Sequence, residues 1–388
     1  MKISKMANAV EPSLSRQLFN MAKNYNDVID LTLGDPDIVP SEKIRKAACE
    51  AVMGGKTKYS ANAGLQTLRE VIAKNFTQEY NIEIDPLKEI IMAVGGMEAL
   101  YLSFACLLDE GDEVIILAPY YVNYKQMVQM CGAKPVIINT TEESGFGVSV
   151  EQLEAAVTDR TVAIVVNTPG NPTGAVLSGE VLEGIADIAK KYDLAVISDE
   201  VYRTLIFDGR RHESIINLPD MRERTIVIDS VSKRFAMTGY RLGYAIGPEE
   251  IISNMVKMQE NVAACAPLPS QYAAIAAFEQ CVNDTSIREE FEVRRNYIYE
   301  SINAINGLSC RKPDATFYLF VNISKTGMNC LDFAYKLLEE EHVAVVPGIT
   351  YGAAYTDFIR IAFTLKVDGL KAAVERIERF MNRLMAEK

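Results

Sequence analysis

Short apolar runs alternate with longer amphipathic segments along most of the chain. Short runs bounded by glycine or polar residues are typical of buried strands, whereas apolar residues three or four apart indicate helices. This alternation predicts a mostly parallel sheet covered by helices on both faces. Helices are predicted over 97–108 and 179–192. The predicted strands are 90–94, 113–117, 134–138, 162–167, 195–198, 225–229 and 243–247.

The pattern changes after residue 285, where a long amphipathic helix is predicted over 286–305. It is followed by a mixture of predicted strands (316–321, 343–346, 358–362) and helices (330–341, 367–385). The fold class predicted is therefore α/β, with a three-layer large domain and a smaller α+β domain. The large domain is expected over 45–285. Residues 1–44 have too few apolar positions for a core of their own, so we expect them to join 286–388 in the small domain.

Composition and charge exclude several classes of protein. The chain has 388 residues and a net charge of −12, which argues against nucleic acid or an anionic membrane as a partner. No run approaches the roughly 18 apolar residues of a membrane-spanning helix, and the N-terminus lacks the apolar segment of a signal peptide. We expect a cytoplasmic protein.

The cysteines and histidines limit the chemistry further. The seven cysteines are scattered without a C-x-x-C pair, which indicates reduced core residues rather than a disulfide or metal framework. Only two histidines occur, His212 and His342. A His-rich metal site or a Ser-His-Asp triad is thus nearly excluded, and no metal is expected.

Polar residues capable of chemistry follow the predicted strands, where α/β proteins place ligands. Lys233 comes just after the strand 225–229, together with Ser230 and, further on, Arg241. A cationic neighbour depresses the pKa of a lysine, and an arginine can pair with a phosphate. This combination suits a lysine that forms a Schiff base with a phosphorylated aldehyde cofactor.

Two other strand ends carry compatible groups. Asp199 directly follows the run 195–198, where it either caps the start of a helix or, as a buried carboxylate, needs a cation or proton donor such as a protonated ring nitrogen. Tyr202, three residues later, can face the same ligand. Asn171 lies in the rigid loop N-T-P-G-N-P-T-G after the strand 162–167, which is either a structural turn or a place for a ligand-binding amide.

Gly95 and Gly96 stand between a strand and a helix, where free backbone amides bind phosphate well. The pair matches neither G-x-G-x-x-G nor a P-loop, which disfavours a nucleotide. Tyr121 follows another strand, and its ring either stacks on a flat cofactor or fills the core.

In their order and spacing these residues resemble the fold-type I pyridoxal-phosphate aminotransferases of class I, the aspartate/aromatic aminotransferase-like family. The resemblance covers nearly the whole chain. Further matching motifs are Gly34-Asp35-Pro36, Tyr59 with Gly64, Leu68-Arg69, Glu98-Ala99-Leu100, Pro347-Gly348 and Phe358-Ile359-Arg360-Ile361.

The resemblance implies pyridoxal 5′-phosphate as cofactor and a ping-pong reaction through pyridoxamine phosphate. An amino group would pass from an L-amino acid to a 2-oxo acid such as 2-oxoglutarate. The implied catalytic residues are Lys233, Asp199 and Tyr202, and the implied substrate-binding residues are Gly34, Asn171 and Arg360. The implied cofactor-binding residues are Gly95, Gly96, Met97, Tyr121, Asn171, Asp199, Tyr202, Ser230, Lys233, Arg241 and, from the other subunit of a homodimer, Tyr59.

Three departures from the family pattern bear on the substrate. Met97 stands where a similar bacterial subgroup acting on dicarboxylates carries a lysine, Tyr240 replaces a more frequent tryptophan, and Ala315-Thr316 replaces Gly-Ala. With Tyr121 and Tyr124, Met97 would offer an apolar, adaptable wall. We expect neutral or aromatic donors to be accepted at least as well as aspartate.

Two other activities stay open at this point. A C–S β-lyase on the same scaffold would use the same lysine, aspartate and arginine. A serine acyl enzyme is suggested by S-x-x-K at 230–233 and K-T-G at 325–327, although the S-D-N element is missing. A DNA-binding regulator is disfavoured because no spare basic segment exists.

Overall fold

The computed structural model describes residues 1–12 and 14–386. The strands are β1 (Ile29–Asp30), β2 (Ile90–Ala93), β3 (Glu113–Ala118), β4 (Lys134–Asn139), β5 (Thr161–Asn167), β6 (Ala195–Asp199), β7 (Thr225–Ser230), β8 (Gly243–Ile246), β9 (Ser309–Cys310), β10 (Tyr318–Asn322), β11 (Val343–Ala344), β12 (Val346–Pro347) and β13 (Phe358–Ala362). The α-helices are α1 (Lys5–Ala9), α2 (Leu14–Ala22), α3 (Glu42–Met53), α4 (Gln66–Tyr80), α5 (Gly95–Leu107), α6 (Asn123–Met130), α7 (Val150–Ala156), α8 (Gly179–Lys191), α9 (Val231–Arg234), α10 (Glu249–Val262), α11 (Leu268–Gln280), α12 (Ser286–Ala304), α13 (Cys330–Glu341) and α14 (Val367–Ala386).

The larger sheet has the strand order β2-β8-β7-β6-β5-β3-β4. Its strands β3 to β7 run parallel, while β8 is antiparallel to both of its neighbours. The predicted mostly parallel sheet is confirmed. Parallel pairing brings the carboxyl ends of these strands to one edge, and the register sets Asn167 opposite Asp199. Polar residues that are distant in sequence therefore meet there.

Helices cover both faces of this sheet, as the alternation of side chains along each strand requires. In β5, Ala163 and Val165 pack into a core with α5, α6 and α10, whereas Ile164 and Val166 face α7 and α8. Helices α4 and α11 pack beside β2 and β8 on the latter face. The result is the predicted three-layer arrangement.

A second, antiparallel sheet has the order β12-β13-β10-β9 and packs with α12, α13 and α14. Leu18 and Leu31 from the N-terminal segment join the same core, and β1 pairs with β11. The division into two domains stays a prediction. Residue 286 begins α12, while the boundary before residue 45 falls inside α3, which packs on α11.

Two predicted strands differ from the structure for local reasons. The strand predicted over 316–321 begins only at Tyr318, because Thr316 has a left-handed backbone (φ 67°) that interrupts the extended chain. The strand predicted over 343–346 is two short strands, since β11 pairs with β1 and β12 pairs with β13.

Within residues 1–12 and 14–386, no helix combines the length and the apolar character needed to cross a membrane. All seven cysteines are free thiols. Cys281, Cys310 and Cys330 are buried, but Cys49 is exposed, so the expectation that the cysteines are core residues is wrong for Cys49.

Candidate active site

A cavity of about 500 Å³ lies between the carboxyl edge of the larger sheet and the second sheet. Residues from the ends of β6 and β7, the first turn of α5 and the strands β10 and β13 line it. Of the residues predicted from the sequence, the cavity brings together Gly34, Gly96, Met97, Tyr121, Asn171, Asp199, Tyr202, Ser230, Lys233, Arg241 and Arg360.

Lys233 lies in the short helix α9, directly after β7, and its Nζ donates a 2.6 Å hydrogen bond to the carbonyl oxygen of Gly34. Burial lowers the pKa of Lys233 to about 8; Asp35 opposes this shift, and the charges of Arg360 and Arg241 add to it. The sequence attributed the depression to Arg241, but burial is the larger cause. At pH 7 about a tenth of such an amine is uncharged, far more than for an ordinary lysine, and can act as nucleophile or base.

A polar cradle faces the start of α5. Ser230 Oγ and Ser232 Oγ are 2.8 Å apart, and the Ser232 amide donates to Ser230 Oγ. Arg241 reaches this cradle from a left-handed backbone position (φ 53°), held by a 2.9 Å hydrogen bond to the Thr238 carbonyl. Hydroxyls, a guanidinium and helix N-terminal amides are groups that bind anions well, and the cavity brings them together.

Two glycines permit the close packing behind this cradle. A Cβ on Gly95, whose φ is 75°, would lie 2.6 Å from Arg241 Nη2. Gly95 thus sits behind the guanidinium rather than lining the cavity. A Cβ on Gly243 would lie 2.4 Å from the Gly96 nitrogen, so β8 meets the start of α5 backbone to backbone.

A network of buried charged residues holds the Ser230 backbone of the cradle in place. Asp229 accepts hydrogen bonds from the Ser230 amide (2.6 Å), from Arg203 Nε (2.8 Å) and from the Tyr244 hydroxyl (2.6 Å). Arg203 is 4% exposed and also pairs with Glu79. Sequence reasoning missed this network, because nothing local in the sequence connects these four elements.

Asp199, at the tip of β6, is buried within the cavity wall. Its Oδ2 accepts a 2.5 Å hydrogen bond from the Tyr124 hydroxyl, and its Oδ1 accepts a 3.2 Å hydrogen bond from the Val201 amide. Burial raises the pKa of Asp199 to about 6, although both hydrogen bonds oppose that shift. Tyr124 was expected to belong to an apolar wall; it borders the cavity, but its hydroxyl is committed to Asp199.

Arg360 lies in the middle of β13 and is only 5% exposed, so a surface salt bridge is not its role. Its Nη1 donates to Asn171 Oδ1 (3.2 Å) and its Nη2 donates to the Thr32 carbonyl. The guanidinium carbon lies 4.3 Å from the centre of the Tyr318 ring. Its Nε is buried and has no hydrogen-bond partner among the described residues.

Three tyrosines complete the walls. The hydroxyls of Tyr202 and Tyr318 are 3.0 Å apart, and burial raises the pKa of Tyr202 well above its usual value. The Tyr121 hydroxyl donates to the Met97 sulfur (3.3 Å) and accepts from Asn123 (2.9 Å). Burial raises the pKa of Tyr121 to about 12. The phenols of Tyr202 and Tyr121 therefore stay protonated near neutral pH.

Tyr59 lies apart from the other predicted residues. It stands in the loop between α3 and α4, is 86% exposed and does not line the cavity of its own chain.

Sequence reasoning missed Ser232, Thr238, Tyr318 and Thr32. Only Ser232 had a local signal, a second hydroxyl two residues after Ser230.

Comparison with known families bears directly on this arrangement. A family model described as aminotransferase class I and II matches residues 26–377. The chain belongs to this family. It is a pyridoxal-phosphate-dependent aminotransferase of fold type I, as its sequence motifs predict.

Relatives of this aminotransferase match over their full length. The aspartate aminotransferase of Bacillus subtilis (strain 168) is 39% identical over 394 residues, covering 99% of this chain and 100% of the relative. The aromatic-amino-acid aminotransferase 2 of Thermococcus litoralis is 39% identical over 386 residues, covering 98% of each. The solved aspartate aminotransferase of Thermus thermophilus with maleate has a TM-score of 0.92 at 36% identity, covering 98% of this chain and 99% of that one. Relatives named for aspartate and for aromatic amino acids are thus equally similar to this chain.

These findings give no support to the C–S β-lyase or the serine acyl enzyme. The geometry also disfavours the S-x-x-K interpretation, because Lys233 Nζ is bound to the Gly34 carbonyl while Ser230 Oγ donates to the Leu242 carbonyl. The residues present do fit pyridoxal phosphate. They supply an amine of lowered pKa, a buried carboxylate held by a phenol, and an anion cradle.

Proposed function

We propose that this aminotransferase passes the amino group of neutral and aromatic L-amino acids to 2-oxoglutarate, and that it works in the cytoplasm as a homodimer. One observation carries the donor preference. The lysines and arginines among the described residues lining the cavity are Lys233, Arg241 and Arg360. Each has a role in the common chemistry, so a second carboxylate, whether of aspartate or of 2-oxoglutarate, gains no ion pair here and neutral donors are at no disadvantage.

The site would hold the cofactor at three points. Ser230, Arg241 and the Gly96 amide would bind its phosphate, assisted by Tyr59 of the second subunit. Asp199 would pair with the ring nitrogen and Tyr121 would stack on the ring. Asn171 and Tyr202 would donate hydrogen bonds to the phenolic oxygen, and the assignment of Tyr202 is supported by its protonated, buried hydroxyl.

Lys233 moves the proton. When bound, pyridoxal phosphate supplies an electron sink for the pair left behind by the Cα proton. Lys233 Nζ accepts that proton as general base, for which its pKa of about 8 is well matched. Asp199, ionised beside the protonated ring nitrogen, maintains the charge that makes the sink effective.

Arg360 orients the substrate. Its fork-shaped guanidinium binds the α-carboxylate common to every amino acid and 2-oxo acid, and its position in the cavity wall beside Asn171 supports this role. The Gly34 backbone, beside Lys233 Nζ, closes the site over that carboxylate. Arg360 therefore recognises both substrates of the two half-reactions without discriminating among side chains.

The donor preference can be tested by steady-state kinetics with 2-oxoglutarate. We expect methionine, leucine or phenylalanine to have a specificity constant at least comparable to that of aspartate. Met97→Lys adds a cation beside Tyr121 and Asn123, and should raise the constant for aspartate relative to phenylalanine by about tenfold or more. Val293→Lys, which adds the same charge at an exposed position of α12, is the control. A wild-type preference for aspartate exceeding every neutral donor by about a hundredfold would overturn this proposal.

The shared site can be tested by mixing two inactive parents. Tyr59 is fully accessible on one chain, and the proposal assigns it to the cofactor phosphate of a partner. Lys233→Ala and Tyr59→Ala homodimers, each inactive or weak, should regain activity when exchanged into hybrids that have one intact site. A fully active monomer by light scattering would contradict the homodimer.

A further inference from the structure

Tyr318 makes three close contacts that the proposed chemistry does not use. Its hydroxyl lies 3.0 Å from that of Tyr202, and the Arg360 guanidinium carbon lies 4.3 Å above its ring centre. A Cβ on Gly34 would lie only 1.8 Å from the same hydroxyl oxygen, so the close approach of Tyr318 requires glycine at residue 34. Tyr318 is 3% exposed. It therefore touches the arginine, the tyrosine and the glycine segment assigned to ligand binding.

The backbone around Tyr318 is specialised for this placement. Thr316, two residues earlier, has φ 67°, a conformation that β-branched residues rarely adopt. Its Oγ1 accepts a 3.1 Å hydrogen bond from the Tyr318 amide, and its own amide donates to the Leu205 carbonyl. A strained, fully buried residue thus fixes where β10 begins and where Tyr318 enters the cavity.

We propose that Tyr318 is a positioning residue with two separable functions: its ring holds the Arg360 guanidinium, and its hydroxyl directs the hydroxyl of Tyr202. The inference rests on the proposed role of Tyr202 toward the cofactor. A phenol has one hydrogen to donate and can also accept. When Tyr202 gives its hydrogen to the phenolic oxygen of the cofactor, the hydrogen bond between the two tyrosines takes its hydrogen from Tyr318.

This arrangement has a consequence for charge. A tyrosine that accepts a hydrogen bond becomes a stronger donor, because linked hydrogen bonds polarise one another. Tyr202 assisted by Tyr318 withdraws more charge from the phenolic oxygen, which lowers the proton affinity of the Lys233 nitrogen joined to the cofactor. Separately, the face of the Tyr318 ring attracts the guanidinium and holds it against the cavity wall.

Two variants separate the functions in the cofactor-loaded enzyme. Tyr318→Phe removes the hydroxyl and keeps the ring, so the pH midpoint of the visible absorbance band should rise by about 0.5 pH unit, with the KM for 2-oxoglutarate nearly unchanged. Tyr318→Leu also removes the ring and should in addition raise that KM by about tenfold. Tyr355→Phe is the matched control, because its equally buried hydroxyl bonds to the Thr140 carbonyl away from the cofactor. It should move neither quantity.

The outcomes distinguish this inference from the function on which it rests. A midpoint that is the same in wild type and Tyr318→Phe overturns the hydroxyl function, and an unchanged KM in Tyr318→Leu overturns the ring function. If Tyr318→Leu does not fold, as judged by thermal melting, Tyr318→Phe still decides the hydroxyl function through its midpoint, and Tyr318→Met, which fills the space with a flexible apolar chain, decides the ring function through the same KM. A wild-type protein that shows no titrating visible band with pyridoxal phosphate overturns the proposed function and this inference together.

Discussion

The two walls of the cavity are built in different ways. The large-sheet wall, formed by Asp199, Ser230 and Lys233, consists of side chains that follow neighbouring strands, so strand register sets their spacing. The small-sheet wall is formed by Tyr318 and Arg360. It is held by the contact of the guanidinium with the Tyr318 ring and by the hydrogen bond from Arg360 to the Thr32 carbonyl, which is distant in sequence. In the proposed function, chemistry common to all substrates depends mainly on the first wall, and substrate orientation depends on the second. We therefore expect substitutions in the large-sheet wall to reduce turnover, and those in the small-sheet wall to weaken binding.

The largest effect is expected from Lys233→Ala, which removes both the proposed covalent anchor and the proposed base. Transamination should fall by about 10⁴-fold, the upper end of what a general base contributes. The borohydride-reducible linkage should disappear, while the phosphate cradle still retains some cofactor. Transamination at the wild-type rate would show that Lys233 is not the base.

Asp199→Ala should come next, because the ring nitrogen loses its charged partner in a buried site. Removing one partner of such a pair costs roughly 2–5 kcal/mol, which corresponds to a single-turnover rate lower by about 30-fold to several thousandfold. Asp187→Ala, which removes a carboxylate on the surface of α8, is the control. A single-turnover rate equal to wild type with cofactor bound would eliminate this role for Asp199.

On the opposite wall, Arg360→Lys keeps the charge but loses the fork that reaches Asn171 and Thr32. We expect kcat/KM to fall by about 10- to 100-fold, mostly through KM. Equal losses in kcat and kcat/KM would place Arg360 with the transition-state machinery and would remove the contrast between the walls.

The smallest effect concerns the stability of the cofactor-free protein. Burial raises the pKa of Asp199 to about 6, so the folded protein binds this proton more tightly than the unfolded chain does. Ionisation then costs stability, and the cost grows as pH rises toward 6 and levels off above it. Relative to Asp199→Asn, wild type should lose about 1–1.5 kcal/mol between pH 5 and 7.5. Urea unfolding of both apoproteins measures this difference, and a difference that does not vary with pH would contradict the raised pKa.

The large-sheet wall could be predicted from the sequence because its signal is local. A polar residue directly after an apolar run identifies a strand end, which is how Asp199, Ser230 and Lys233 were found. The same reasoning gave the strands β3 to β7 to within one or two residues. Tyr124 was placed only in part, because α6 turns its hydroxyl toward Asp199, and a sequence does not give the direction of a side chain near a helix start.

The small-sheet wall could be predicted only through family resemblance, which identified Arg360 but not its neighbours. The Thr32 carbonyl that it binds is 328 residues away in sequence. Tyr318 looks like an ordinary strand residue, and its importance comes from three elements converging on it. Contacts of this kind are decided by tertiary packing, so no local pattern signals them.

The backbone contact between Gly243 and Gly96 limits how this enzyme can change. No side chain fits at residue 243, since even a methyl group would lie 2.4 Å from the Gly96 nitrogen and displace the amides that begin α5. Gly243 therefore cannot be substituted, by natural variation or in a library, unless α5 as a whole shifts. Met97, the residue after Gly96, has a flexible sulfur-bearing side chain that lines the cavity together with Tyr121. New donor specificities are therefore most accessible through Met97, on a helix whose first turn must itself stay fixed.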